Sequence, residues 1–173
     1  MSLLLLLGGA RSGKSALAVE LAAQSRAAVV FLATGEAHDD EMTERIARHR
    51  DERSAGWTTV EESHALAAAV SAVPAEACLV VDCLSLWVAN VLDRGAAAVE
   101  AEGEEAAAFA AARPGLTIAV SNEVGMGVVP PTPLGRSYRD VLGRVNATWA
   151  RAATDAYLVV AGRVLRLEEP ARG

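Results

Sequence analysis

Residues 3–15 read LLLLLGGARSGKS, and this stretch decides the fold. The opening leucines are apolar without alternation, the pattern of a strand covered on both faces. The following positions, Gly8, Gly9, Ala10, Arg11, Ser12, Gly13, Lys14 and Ser15, match G-x-x-x-x-G-K-[ST]. Leu17 and Leu21, four apart, continue the chain as a helix. Strand, glycine-rich turn and helix together form a phosphate cradle. The glycines allow the backbone to bend so that several N–H groups face phosphate oxygens, and the helix adds the positive end of its dipole. Lys14 is placed to reach the β- and γ-phosphates and Ser15 to bind Mg²⁺. Lys14 is also the sole lysine among 16 Lys and Arg residues. A compact ammonium on a slim stem fits between phosphates where a planar guanidinium does not.

Outward from this stretch, apolar runs recur at residues 29–33, 78–81, 116–121 and 157–161. Segments of helical period or alanine-rich composition lie between them. Such alternation predicts an α/β fold: a P-loop (RecA-like), mostly parallel β-sheet flanked by helices on both faces. The whole of residues 1–173 is expected to form a single P-loop nucleotide-binding domain. Residues 96–113, almost all Ala and Glu, read as a solvated helix interrupted by Gly103 and ended by Pro114 and Gly115. Residues 122–133, rich in Gly and Pro, read as a long loop and residues 136–154 as a long helix. The apolar runs 157–161 and 164–167 flank Gly162 and Arg163 and suit a terminal hairpin.

A phosphate loop needs a carboxylate on a nearby strand end to hold Mg²⁺ through water. The run Leu79, Val80, Val81, Asp82 supplies one, at the edge where open α/β sheets bind ligands. Glu123 ends the next apolar run on that edge, as a second metal contact, a general base or an ordinary loop carboxylate. Residues 39–53 read as a helix with Met42, Ile46 and His49 on one stripe, and Glu41–Arg45 and Glu44–Arg48 pairs on the other side. From pattern alone His49 is either a half-buried structural histidine or a nucleophile. Arg45 and Arg53, four residues to either side, disfavour its cationic form, while the helix terminus favours it.

Composition sets the remaining bounds. Hydrophobic residues make up 52% of the chain, which excludes a disordered protein, and aromatic residues only 4%, so the core rests on Leu, Val, Ala and Ile. The net charge of −6 and the absence of a basic run speak against a nucleic-acid partner. The apolar run 2–7 is too short for a membrane span or a secretory signal. Cys78 and Cys83 bracket one strand five residues apart, a spacing unsuited to a disulfide, so free thiols and a cytoplasmic location are expected. On these residues alone the chain binds a nucleoside triphosphate, and two readings stand: a small-metabolite kinase with a structural His49, and a nucleotide switch moving residues 122–133.

The ordered blocks GGARSGKS, FLAT, DDEMTERIARHR, Trp57 and Glu61 around WTTVEES, VDCLSLWVAN, SNEVGMGVVP and RDVLGRVN together resemble one family. It is the bifunctional adenosylcobinamide kinase/adenosylcobinamide-phosphate guanylyltransferases of cobalamin biosynthesis. The helix D-D-E-M-x-x-R-I-x-x-H and the loop N-E-V-G-M-G-x-V-P carry most of that specificity. The resemblance implies that ATP or GTP phosphorylates adenosylcobinamide, and that GMP then passes from GTP through a covalent phosphoramidate on His49. It further implies Mg²⁺, a propeller-shaped trimer, and nucleotide contacts from Gly8 to Ser15 and at Ala33, Thr34, Gly35, Asp51, Glu52, Arg53, Ser54, Glu61 and Asp82.

Overall fold

A computed structural model describes residues 2–36 and 56–169. The helix expected over residues 39–53, with His49 and the 51–54 segment, lies outside the described residues. The strands are β1 (Ser2–Gly8), β2 (Val29–Ala33), β3 (Thr58–Glu61), β4 (Cys78–Asp82), β5 (Leu116–Asn122), β6 (Asp155–Val160) and β7 (Arg163–Leu167). The helices are α1 (Lys14–Ala23), α2 (Leu66–Ala72), α3 (Leu84–Val91), α4 (Ala96–Ala112) and α5 (Pro133–Ala152). One sheet runs in the order β3-β2-β4-β5-β1-β6-β7, parallel except for the β6–β7 hairpin.

The strands alternate faces with period two, and this divides the core. Leu3, Leu5, Leu7, Val30, Leu32, Leu79, Val81 and Ala119 face α2, α3, α4 and α5. Leu6, Val29, Phe31, Cys78, Val80, Ile118 and Val120 face α1 through Ala18 and Ala22. Both faces of the central strands are therefore buried, which is why their sequences are continuously apolar.

Three expectations change. Strand β3, TTVE, was absent from the apolar runs, because an exposed edge strand needs only one inward side chain, here Val60. Helix α4 is neither interrupted nor simply solvated: Val99, Gly103, Ala106, Ala107 and Ala110 are buried. A Cβ on Gly103 would come to 3.3 Å from Val145 Cγ2 and 3.6 Å from the Trp87 ring, so the glycine marks a close approach of α4 to α5. The hairpin turns one residue earlier than expected, at Ala161 and Gly162, with φ of 50° and 72°. Positive φ at both central positions matches the right-handed twist of the strands.

Arg113 joins two connections at the sheet's opposite end. It is 7% exposed, and its guanidinium donates to Val73 O at 2.8 Å and to Pro74 O and Ala77 O at 2.9 Å. Removing it breaks three hydrogen bonds to carbonyls, of which Pro74 O keeps the Ala77 N–H at 3.0 Å. Arg113→Ala is expected to lower unfolding stability by about 2–4 kcal/mol, seen as a lower urea midpoint at unchanged slope. A midpoint equal to that of the wild type would contradict this account.

Candidate active site

The phosphate loop grows out of the strand before it. Strand β1 ends at Gly8, whose missing side chain leaves room for Val159 O of β6; a Cβ there would collide with that carbonyl. Arg11 and Gly13 take φ of 56° and 100°, turning successive N–H groups toward one side. Helix α1 begins at Lys14 with no side-chain cap and no acidic residue in its first turn. Its first N–H groups and its positive dipole end are left for an anion. Lys14 is 6% exposed, and its Nζ donates to Gly9 O at 2.7 Å and Ser12 Oγ at 3.4 Å. The ammonium is held over its own loop. The turn of the hairpin supports the loop from the far side, with Gly162 N–H donating to Ser12 O at 2.9 Å.

The described candidates share one edge of the sheet. Ala33 is in register with Glu61 on one side and with Asp82 on the other. Asp82 pairs with Val120, and Asn122 pairs with Gly8. With strands about 4.8 Å apart, Asp82 stands about 10 Å across the sheet from β1, and Glu61 about 19 Å. The phosphate loop thus lies at one end of a row and Glu61 at the other, with Thr34 and Gly35 following Ala33 between them.

Thr34 locks the middle of this row. Its side chain is fully buried; Oγ1 donates to Cys83 O at 2.6 Å and accepts from Cys83 N–H at 2.8 Å. Its own N–H donates to Asp82 O at 3.2 Å. Asn90 Nδ2 then donates to Thr34 O at 2.8 Å and Ser63 O at 3.3 Å, joining the turns after β2 and β3. Behind Asp82 the groups are uncharged. Burial, with the Asp82 charge beside it, pushes the Cys83 thiol up to about 11. Burial pushes the Tyr138 phenol up to about 12, and its OH donates to Ser85 O. Both cysteines are free and buried.

Sequence reasoning missed Asn90 and Gly162. Asn90 lies within VDCLSLWVAN but acts on residues far away in the chain. Gly162 showed only as a turn residue. Glu123 roots its loop on the same edge: its N–H donates to Gly8 O at 3.0 Å while its carboxylate accepts from Gly125 N–H.

A parallel sheet with one strand, β5, set between the phosphate-loop strand and the strand ending in Asp82 defines a RecA-like P-loop nucleotide-binding protein. Solved structures agree on the fold. A prototypical ATPase from the type III secretion system of pathogenic bacteria superposes with a TM-score of 0.56 at 13% identity, over 91% of this chain and 50% of that one. The chain spans half the length of that ATPase. The flagellar accessory protein FlaH from Methanocaldococcus jannaschii gives 0.50 at 16% identity, over 94% and 74%. The family profile described as "Cobinamide kinase / cobinamide phosphate guanyltransferase" matches residues 4–167, and the chain belongs to that family. It is 45% identical to the bifunctional adenosylcobalamin biosynthesis protein CobP of Pseudomonas aeruginosa, over 95% of this chain and 96% of that protein. It is 37% identical to the bifunctional adenosylcobalamin biosynthesis protein CobU of Escherichia coli, over 92% and 96%.

Proposed function

We propose that this chain performs the two steps of its family at one sheet edge, with the triphosphate of ATP or GTP held by Gly8 to Ser15. The observation that carries this is the buried Lys14 ammonium poised over an uncapped helix N-terminus. In the first step the hydroxyl oxygen of adenosylcobinamide attacks the γ-phosphorus. The bond to the bridging oxygen breaks, the nucleoside diphosphate leaves and the hydroxyl proton is released. Lys14 and the loop N–H groups stabilise charge on the transferring group. In the second step a ring nitrogen of His49 attacks the α-phosphorus of GTP and pyrophosphate leaves. A phosphate oxygen of adenosylcobinamide phosphate then displaces the imidazole, giving adenosylcobinamide-GDP.

The guanine nucleotide is read here by Ala33, Thr34, Gly35, Asp51, Glu52, Arg53, Ser54, Glu61 and Asp82. The order of the described members along the edge supports this, because it separates the phosphate end from the nucleoside end. Mg²⁺ fits the Ser15 hydroxyl and the Asp82 carboxylate, both hard oxygen donors. Among the described residues no three His, Cys, Asp or Glu form a metal cluster, so water and nucleotide oxygens would complete the shell. When bound, the ion neutralises charge on the phosphate oxygens. No helix among the described residues is long and apolar enough to cross a membrane. A trimer in the cytoplasm belongs to the same reading, and the exposed hairpin residues Val160 and Leu165, on one face of the hairpin, offer an apolar surface for association.

GTP labelled on the α-phosphate tests the proposal. The protein should retain acid-labile, alkali-stable label after denaturation, and γ-labelled nucleotide should label cobinamide. Phosphorylated cobinamide without labelled protein would leave a monofunctional kinase. Tight nucleotide binding with neither product would leave a switch.

A further inference from the structure

The motif N-E-V-G-M-G-x-V-P runs from Asn122, the last residue of β5, into the loop that ends at Thr132, and no step above uses the loop's outer part. The loop is fixed at both ends. Asn146 Nδ2 donates to Asn122 O at 3.0 Å, and Asn146 Oδ1 accepts from Ser121 Oγ at 2.7 Å. The Arg136 guanidinium donates to Pro130 O at 3.0 Å and Pro131 O at 2.9 Å, and Thr132 Oγ1 accepts from Gly135 N–H to cap α5. Between these anchors Met126 is 76% exposed, Val128 96% and Val129 62%, with Leu134 at 69% on the first turn of α5. A tethered loop that turns a group of large apolar side chains toward solvent is built to be covered.

We infer that this ledge receives the apolar face of the corrin macrocycle of the acceptor. The inference rests on the cobinamide kinase reading. The acceptor hydroxyl must reach the phosphoryl group held by the phosphate loop, yet the hydroxyl is a small arm on a large ring. The ring must therefore rest on a surface that adjoins the phosphate loop. The loop that carries the ledge is rooted beside it, through the Glu123 N–H to Gly8 O bond. A corrin presents methyl-bearing faces and amides at its rim. Aliphatic side chains suit the faces, and the loop backbone at Gly127 is open to the amides: a Cβ there would meet nothing within 4 Å. The loop springs from β5, three strand spacings or about 14 Å from β3 and its Glu61, so the ledge is assigned to the acceptor and not the nucleoside.

The test compares the full chain with Met126→Ser/Val128→Ser and with Val128→Asp. Cobinamide binding is read by its visible absorbance in equilibrium dialysis. The KM for cobinamide and for nucleotide, GMP incorporation from GTP without cobinamide, and sedimentation are read beside it. The serine pair should raise the cobinamide KM and Kd about tenfold, and Val128→Asp further. Nucleotide KM, GMP incorporation and sedimentation should match the wild type. An unchanged cobinamide KM overturns the inference. So does a rise accompanied by slower-sedimenting species, which would make the ledge a contact between copies. If the wild-type chain fails to phosphorylate cobinamide, the functional reading fails; if it succeeds and the variants equal it, only the ledge is lost.

Discussion

Lys14→Arg is expected to abolish both phosphoryl and guanylyl transfer although it conserves the charge. Lys14 Nζ sits 2.7 Å from Gly9 O and 3.4 Å from Ser12 Oγ, and the side chain is almost fully enclosed. An ammonium is a compact point charge that can exchange these two oxygens for phosphate oxygens with a small rotation. A guanidinium is longer and planar and fixes its donors in a fork, so within the same walls it must displace the loop or project beyond it. Each outcome removes a donor aimed at developing charge, a change on the order of 10²–10³ in rate. Both activities should fall by at least that factor, because both draw on a triphosphate held by one loop. Thermal stability should move less than activity, since the substitution conserves the positive charge. Full kinase activity in Lys14→Arg would show that the loop does not hold the reacting phosphate.

The phosphate loop was legible because it is local. A run of leucines, spaced glycines and a lysine fix strand, turn and helix within 13 consecutive residues, 3–15. The apolar ends of β4 and β5 likewise placed Asp82 and Glu123 on one edge. Contacts that depend on distant partners were not legible. Periodicity carries no information on which residues pair, so it could not show Thr34 against Cys83, 49 residues apart, or Asn90 against Thr34, 56 apart. Gly103 misled for a related reason. Helix propensity counts glycine as a break, but the packed neighbour that requires a missing Cβ is Val145, on another helix. Strand β3 stayed hidden because its one inward residue gives no alternation to detect. The site is therefore most readable where it meets phosphate and least where separate connections brace one another.

His49→Ala is expected to remove guanylyl transfer while leaving cobinamide phosphorylation in place, so that cobinamide phosphate accumulates. Loss of a nucleophile that forms the covalent intermediate lowers the rate by about 10⁴-fold or more, so GMP incorporation should fall below detection. His49 lies outside the described residues, and its assignment rests on the family motif, which makes the control decisive. Among the described residues His64 is the one histidine, and it follows the Glu61 end of β3. Its Nδ1 lies 2.8 Å from Ser63 Oγ and 3.3 Å from Glu36 Oε1, and its carbonyl accepts from Trp87 Nε1 at 3.0 Å. The carboxylate and the indole fix ring and backbone, which gives the half-exposed His64 a structural role. His64→Ala should therefore keep its GMP label, and His49→Ala should lose it. Adding free imidazole to His49→Gly should restore part of the transfer without labelling the protein, because the phosphoramidate would then form on the small molecule. Label retained by His49→Ala and lost by His64→Ala would move the nucleophile to the turn after β3. Loss in both variants with kinase activity intact would make His64 a positioning residue for the guanylyl step.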